Sequence, residues 1–167
     1  MMAEETVKFA KGDWIVHLYH GVGQVISIES KKLDGNKVQY YKVQTKNSLY
    51  WVPVGKVDED RIRPLSTPEE IDIALRTISR RPREMSADHM QRKNQINDVR
   101  SIGALDEVTK IIRDLSARQT ADKLNDSEER ALNHFTDRLI SEWSVSKDIS
   151  TDEARQQLTD ILQKYKV

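Results

Sequence analysis

Apolar and polar residues alternate in short runs through the first third of the chain. The runs lie at residues 14–18, 24–29, 38–43 and 49–54. Their β-branched and aromatic side chains favour β-strands. Asp34-Gly35 predicts a hairpin turn, and Pro53 restricts the last strand to the edge or the end of a sheet. We therefore predict a small antiparallel β-barrel of Tudor or SH3 type over residues 1–65.

The apolar spacing changes to a helical period after residue 66. Thr67 and Glu70 form a capping box with Pro68 at the first helical position, and Pro82 ends this helix. Gly103 closes the second helix. Helix starts are predicted near Ser86, at Leu105, at Asn125 or Asp126, and at Ser150 with a second capping box. The fold class is therefore α+β, with a bundle of about five α-helices over residues 66–167.

Composition narrows the class of protein. The 167 residues balance 27 basic against 27 acidic side chains, which excludes a protein that coats nucleic acid over its whole surface. The chain has no cysteine, so disulfides and thiolate metal sites are excluded. Its apolar runs are too short to cross a membrane, and the start lacks the features of a secretory signal. We expect a monomeric cytoplasmic protein.

The sequence contains no set of neighbouring residues that would form a catalytic or metal site. Gly21 and Gly23 suit a sharp bend or a bulge, because the third glycine and the Lys-Ser/Thr pair of a phosphate loop are missing. His17 and His20 fit a strand and a turn better than a metal site. Three pairs of adjacent acidic residues lie in the predicted first turns of helices, where their charge complements the helix dipole: Asp106-Glu107, Glu128-Glu129 and Asp152-Glu153. We expect no enzymatic activity, no cofactor and no metal.

Two aromatic pairs occur in the predicted strands. Strand alternation sends one member of Tyr40-Tyr41 and one of Tyr50-Trp51 into the core and its neighbour outward. The outward residue fits a partner surface or covers the end of a barrel.

The charge balance hides one basic segment. Between Arg76 and Lys93 the chain has six basic residues and two acidic ones. Arg80 and Arg81 fit a helix C-terminus, whereas Arg83 has no such explanation. A few phosphate contacts here would give modest, salt-sensitive DNA binding.

Several motifs, taken in order, resemble the CarD family of bacterial transcription regulators. They are Phe9-Ala-Lys-Gly-Asp13, Gly21-Val22-Gly23, Val52-Pro53-Val54, Arg63-Pro64-Leu65, Ile111-Ile112-Arg113-Asp114-Leu115 and Ser127-Glu-Glu-Arg-Ala-Leu132. The resemblance extends from about residue 7 to the last helix. It implies a Tudor-like domain that binds the β subunit of RNA polymerase. It also implies a helical domain that contacts promoter DNA at the upstream edge of the bubble and stabilises the open complex.

The resemblance also implies the binding positions. For polymerase they are Lys31, Tyr50, Trp51 and Val52, and for DNA they are His89 and Arg92. The basic segment itself adds Arg80, Arg81, Arg83 and Lys93 to the DNA-binding candidates, with Met90 beside His89. Family members usually carry a wedge tryptophan early in the helix after the basic corner. That position falls here on His89, or on Asp88 after a shift of one residue, while Met90 is apolar enough to act as a wedge. A second hypothesis is a non-enzymatic adaptor that docks on polymerase without engaging DNA. A third, an enzyme built on a barrel, has no support in the residues.

Overall fold

A computed structural model describes residues 7–55 and 60–164, except the side chain of Leu33. Five strands are followed by five helices, which confirms the predicted α+β class. The chain divides into two compact units, Met1–Leu65 and Ser66–Val167. Within the described residues no helix is both long and apolar enough to cross a membrane.

The strands form one antiparallel sheet in the order β4-β3-β2-β1-β5. They are β1 Trp14–His17, β2 Gly21–Leu33, β3 Asn36–Gln44, β4 Leu49–Pro53 and β5 Ile62–Pro64. The prediction of a barrel is corrected in one respect, because the two outer strands do not pair and the sheet is open. β4 has five residues and β5 only three, so the two outer strands have few backbone groups with which to pair and close a barrel. The fold remains consistent with a Tudor-like domain.

The turn chemistry of the sheet follows the sequence closely. Asp34 and Gly35 both have positive φ, 51° and 80°, as a two-residue hairpin turn requires. Gly23 has another reason to be glycine, because a Cβ there would lie 2.7 Å from Cγ1 of Val43. The bulge predicted near the glycines instead interrupts the ladder between Val25 and Ser27.

One face of the sheet is covered by a small apolar core. Tyr41 lies in it fully buried, and its hydroxyl accepts a hydrogen bond of 2.9 Å from the backbone N–H of Lys8. The other buried members of this core are Ile15, Val25, Val43, Val52, Val54 and Ile62.

The helical unit has caps at most of the predicted positions. Its helices are α1 Pro68–Ile78, α2 His89–Ile102, α3 Leu105–Ala121, α4 Asp126–Lys147 and α5 Thr151–Gln163. Thr67 forms the predicted capping box, and Gly103 closes α2 in the left-handed conformation. α2 begins later than predicted because Asp88 caps it, its Oδ1 accepting 2.9 Å from the N–H of Met90.

The five helices pack around a large core centred on the fully buried side chain of Trp143. α4 also holds Ser66, the first residue of the helical unit. Glu142 Oε1 accepts hydrogen bonds from the backbone N–H of Ser66 at 3.1 Å and from its hydroxyl at 2.5 Å.

Replacing Trp143 with alanine should lower the free energy of unfolding by about 3–5 kcal/mol, because the cavity left in this core cannot fully collapse. The indole N–H has no hydrogen-bond partner among the described residues, so the loss is one of packing. Urea unfolding followed by circular dichroism measures it. Ile73→Ala is the control, since Ile73 is 54% exposed and should change stability by less than about 0.5 kcal/mol. Equal losses in both variants would contradict this assignment of the core.

Candidate functional site

The outward face of the sheet carries the candidate docking residues. Tyr41 is buried and its neighbour Tyr40 lies partly exposed on the opposite face, while Trp51 is 39% exposed next to the half-buried Tyr50. This confirms that each aromatic pair places one residue inward and one outward. Trp51 therefore faces solvent from β4, at the edge of the sheet.

Trp51 is surrounded by charged side chains from β2 and β3. Its indole Nε1 donates to Glu29 Oε2 at 3.0 Å, and Nζ of Lys31 lies 4.7 Å from the ring centroid. Nζ of Lys42 lies 5.6 Å from the same ring and 3.5 Å from Glu29 Oε1. We call Glu29, Lys31, Lys42 and Trp51 the indole cluster. It combines an aromatic face with two ammonium groups, a combination common in protein interfaces.

The electrostatics of the indole cluster centre on Glu29. The hydrogen bond from Trp51 lowers the pKa of this carboxyl below its ordinary value, helped by Lys42 and Lys31 and opposed by partial desolvation. Because the folded-state pKa is lowered, these contacts stabilise the sheet above the ordinary pKa. That contribution disappears as the pH falls through the lowered value.

Two of the proposed polymerase-binding positions have other roles. Val52 is only 2% exposed and packs in the core of the sheet, so its side chain is not available to a partner and its assignment is corrected. The alternation that turns Trp51 outward turns Val52 inward. Tyr50 is half-buried, and its ring stacks on His20 with centroids 4.3 Å apart.

The three arginines around Pro82 lie between α1 and α2, in residues 79–88, which form no helix or strand. The side chains of Arg80, Arg81 and Arg83 are exposed, while Met85 is buried and anchors the segment. We call residues 79–88 the basic connection.

Arg92, by contrast, is not a surface residue. It is 7% exposed, and its Nε and Nη2 each lie 3.0 Å from Glu128 Oε1. Its Nη1 donates to the carbonyl oxygens of Ser86 and Ala87 at 3.0 and 2.9 Å. The assignment of Arg92 to DNA binding is therefore corrected, because its guanidinium is occupied inside the helical unit.

The start of α2 exposes the remaining candidates. His89 and Lys93 are exposed and Met90 is 50% exposed, whereas Asp88 is committed to the cap. These three side chains border an open groove of about 580 Å³ between α2 and α4. Arg83 borders a different groove, between α2 and α3, so it does not share a groove with His89, Met90 and Lys93.

The α2–α4 groove also contains cations that sequence reasoning missed. Arg100 on α2 and Arg130 on α4 border it. Among the described residues, neither forms an ion pair within 4 Å. Helical spacing could have found Arg100, since Met90, Lys93 and Arg100 follow each other at intervals of three and seven residues on one side of α2.

His134 on α4 lies among charged side chains that include Arg100. Burial lowers the pKa of its imidazole, and the charges of Arg138 and Arg100 lower it further, against a smaller opposite effect of Asp137. Asp137 itself pairs with Arg155 at 2.9 Å. The α2–α4 groove thus has three cations at its border, Lys93, Arg100 and Arg130, beside the acidic Asp126 at the start of α4. No group of three or more potential metal ligands occurs in residues 7–55 and 60–164.

Comparison with known proteins agrees with both units. Residues 9–66 match the profile of the CarD-like/TRCF RID domain, and residues 74–159 match that of the CarD C-terminal domain. YdeB of Bacillus subtilis (strain 168), whose name describes it as a candidate transcription factor, is 28% identical over 149 residues. The alignment covers 88% of this chain and 97% of YdeB. These matches confirm the resemblance found in the motifs.

Replacing Trp51 with phenylalanine should raise the pKa of Glu29 towards its ordinary value, because the ring is kept but its N–H donor is removed. Carboxyl-carbon NMR titration measures the change. Trp14→Phe, an exposed tryptophan in β1, should leave the pKa of Glu29 unaltered. An unchanged value in Trp51→Phe would mean that the indole does not hold this carboxylate in solution.

Proposed function

This chain belongs to the CarD family, and we propose that it is a non-enzymatic regulator of transcription. Its sheet unit docks on the β subunit of RNA polymerase and its helical unit contacts promoter DNA. The DNA contact lies near the upstream edge of the bubble and stabilises the open complex. The observation that carries the proposal is the exposed indole cluster, a preformed docking surface in the unit that matches the CarD-like/TRCF RID domain.

Docking is assigned to Lys31 and Trp51, at the centre of the indole cluster. The hydrogen bond to Glu29 orients the indole before a partner arrives, so little side-chain freedom is lost on binding. A tryptophan at the centre of an interface often supplies much of the binding energy. The half-buried Tyr50 supports β4 from the other face of the sheet.

DNA contact is assigned to the exposed cations of the helical unit. Arg80, Arg81 and Arg83 lie in the basic connection, and Lys93, Arg100 and Arg130 border the α2–α4 groove. His89 and Met90 are the exposed residues at the start of α2 that would meet the bases or sugars. So few cations give weak and salt-sensitive affinity, which suits a factor that polymerase holds in place.

The adaptor hypothesis is the second candidate, in which the chain docks on polymerase without engaging DNA. The burial of Arg92 favours it, since one cation of the resemblance is not available to phosphate. The absence of tryptophan at position 89 also favours it. DNA titration of the purified protein separates the two candidates.

Trp51→Ala should weaken binding to purified core RNA polymerase by about 30-fold, the typical loss when a central interface tryptophan is truncated. Retention on immobilised polymerase measures it. Trp14→Ala is the matched control, because Trp14 is 41% exposed but lies on β1, away from the β4 edge. Binding unaffected by Trp51→Ala would remove the indole cluster from the interface.

Changing Arg80, Arg81 and Arg83 together to glutamine should lower affinity for forked promoter DNA about tenfold or more, because phosphate neutralisation supplies most of the attraction. The logarithmic salt dependence should fall by about 0.9 for each phosphate that the variant no longer neutralises. Fluorescence anisotropy at several salt concentrations measures both quantities.

The control for this variant removes the same charge from the sheet unit, by changing the exposed Lys11, Lys37 and Lys46 to glutamine. If the wild-type chain shows no salt-dependent affinity at all, the adaptor hypothesis replaces DNA contact.

A further inference from the structure

Three backbone groups of the basic connection, residues 79–88, form hydrogen bonds with acidic or basic side chains. The N–H of Arg83 donates to Asp114 Oδ1 at 2.9 Å. The carbonyl oxygens of Ser86 and Ala87 accept from Arg92 Nη1. These side chains thus supply the hydrogen-bond partners that the backbone groups of a helix or a sheet would find within that element.

Each of these ionised side chains belongs to a buried ion pair. Nε of Arg113 lies 2.8 Å from Asp114 Oδ1, and its Nη1 also donates to the carbonyl oxygen of Thr77, in the last turn of α1, at 3.4 Å. Arg92 pairs with Glu128 of α4. One pair therefore holds the last turn of α1 and the middle of the basic connection, at Arg83, and the other holds the end of the connection.

Stability alone does not account for the two pairs. Burying two ions costs desolvation energy, and apolar residues of similar size often leave a protein equally stable or more so. Glu128 adds to this cost, because its Oε2 has no hydrogen-bond partner among the described residues. An apolar pair cannot supply an acceptor to Arg83 or donors to the carbonyl oxygens of Ser86 and Ala87. The pairs therefore contribute a fixed backbone that apolar side chains would not give.

We infer that Arg92–Glu128 and Arg113–Asp114 are positioning residues for the DNA contact. Asp114 holds the backbone of Arg83 and Arg92 holds that of Ser86 and Ala87, so that the segment carrying the three arginines reaches phosphates without first being ordered. This inference rests on the proposed DNA contact. It predicts weaker DNA binding in variants that remove no exposed charge.

The first test is the double variant Arg92→Met with Glu128→Leu, which removes the ion pair and leaves no unpaired buried charge. We expect a folded protein whose affinity for forked DNA falls about tenfold and whose salt dependence becomes shallower, since fewer phosphates are neutralised. The matched control, Asp137→Asn with Arg155→Met, removes an exposed ion pair and the same charges. Its affinity and salt dependence should equal those of the wild type.

The second test separates positioning from core packing by rescue. Arg113→Met combined with Asp114→Leu deprives the Arg83 N–H of its acceptor, whereas Arg113→Met combined with Asp114→Asn retains an oxygen there. The leucine variant should bind DNA about tenfold more weakly than the wild type, and the asparagine variant should recover most of that affinity. Equal affinities for the two would overturn the inference for this pair.

The outcomes remain separate from those that test the proposed function. Wild-type DNA binding that depends on Arg80, Arg81 and Arg83, together with unchanged binding and salt dependence in the folded double variants, would overturn the inference alone. Unfolding of all the double variants would also overturn it, because the pairs would then serve the core itself. Absence of wild-type DNA binding would instead reject the proposed DNA contact.

Discussion

The buried ion pair between Arg92 and Glu128 is the interaction on which the arrangement of the helical unit depends. It links α2 to the start of α4, and the same guanidinium donates to the end of the basic connection. Asn125 completes the junction, because its side-chain amide donates to Glu128 Oε1 at 2.7 Å and its oxygen caps α4. The basic connection, α2 and the distant start of α4 thus share one charged contact in a place where water cannot satisfy their polar groups.

On the sheet unit, the charged side chains of the indole cluster lie at the surface and not in a core. Glu29, Lys31 and Lys42 remain in contact with solvent around Trp51, where ion pairs contribute little to stability. Their value lies in holding the indole at a defined angle while its face stays exposed. The same residue types therefore fix the fold of the helical unit and prepare a contact surface on the sheet unit.

The turns and helix ends could be predicted from the sequence, whereas the pairing of segments distant in the sequence could not. The turn at Asp34, the capping box at Thr67 and the end of α2 at Gly103 each depend on a few neighbouring residues, and all were predicted. β5 was missed because three residues, Ile62–Pro64, give too short a pattern and gain their partner only through β1.

Two site residues were assigned wrongly although the local spacing indicated that both are buried. Val52 was predictable as buried, since strand alternation forbids it to share a face with Trp51. Arg92 stands four and seven residues before Ile96 and Val99, on the buried stripe of α2, so its spacing already indicated an inward position. Its partner Glu128 lies 36 residues away, and only the folded chain brings the two together.

The burial of Arg92 changes what the charge of this chain means for nucleic acid. Arg92 and Arg113 are paired inside the helical unit, so the proposed DNA contact falls to exposed cations such as those of the basic connection and the α2–α4 groove. Because each phosphate contact adds to the salt dependence, a small set gives weak attraction at physiological ionic strength. Docking through the sheet unit would compensate, since attachment to polymerase raises the effective concentration of the helical unit near DNA. In the proposed function, weak DNA contact and docking through the indole cluster are therefore complementary.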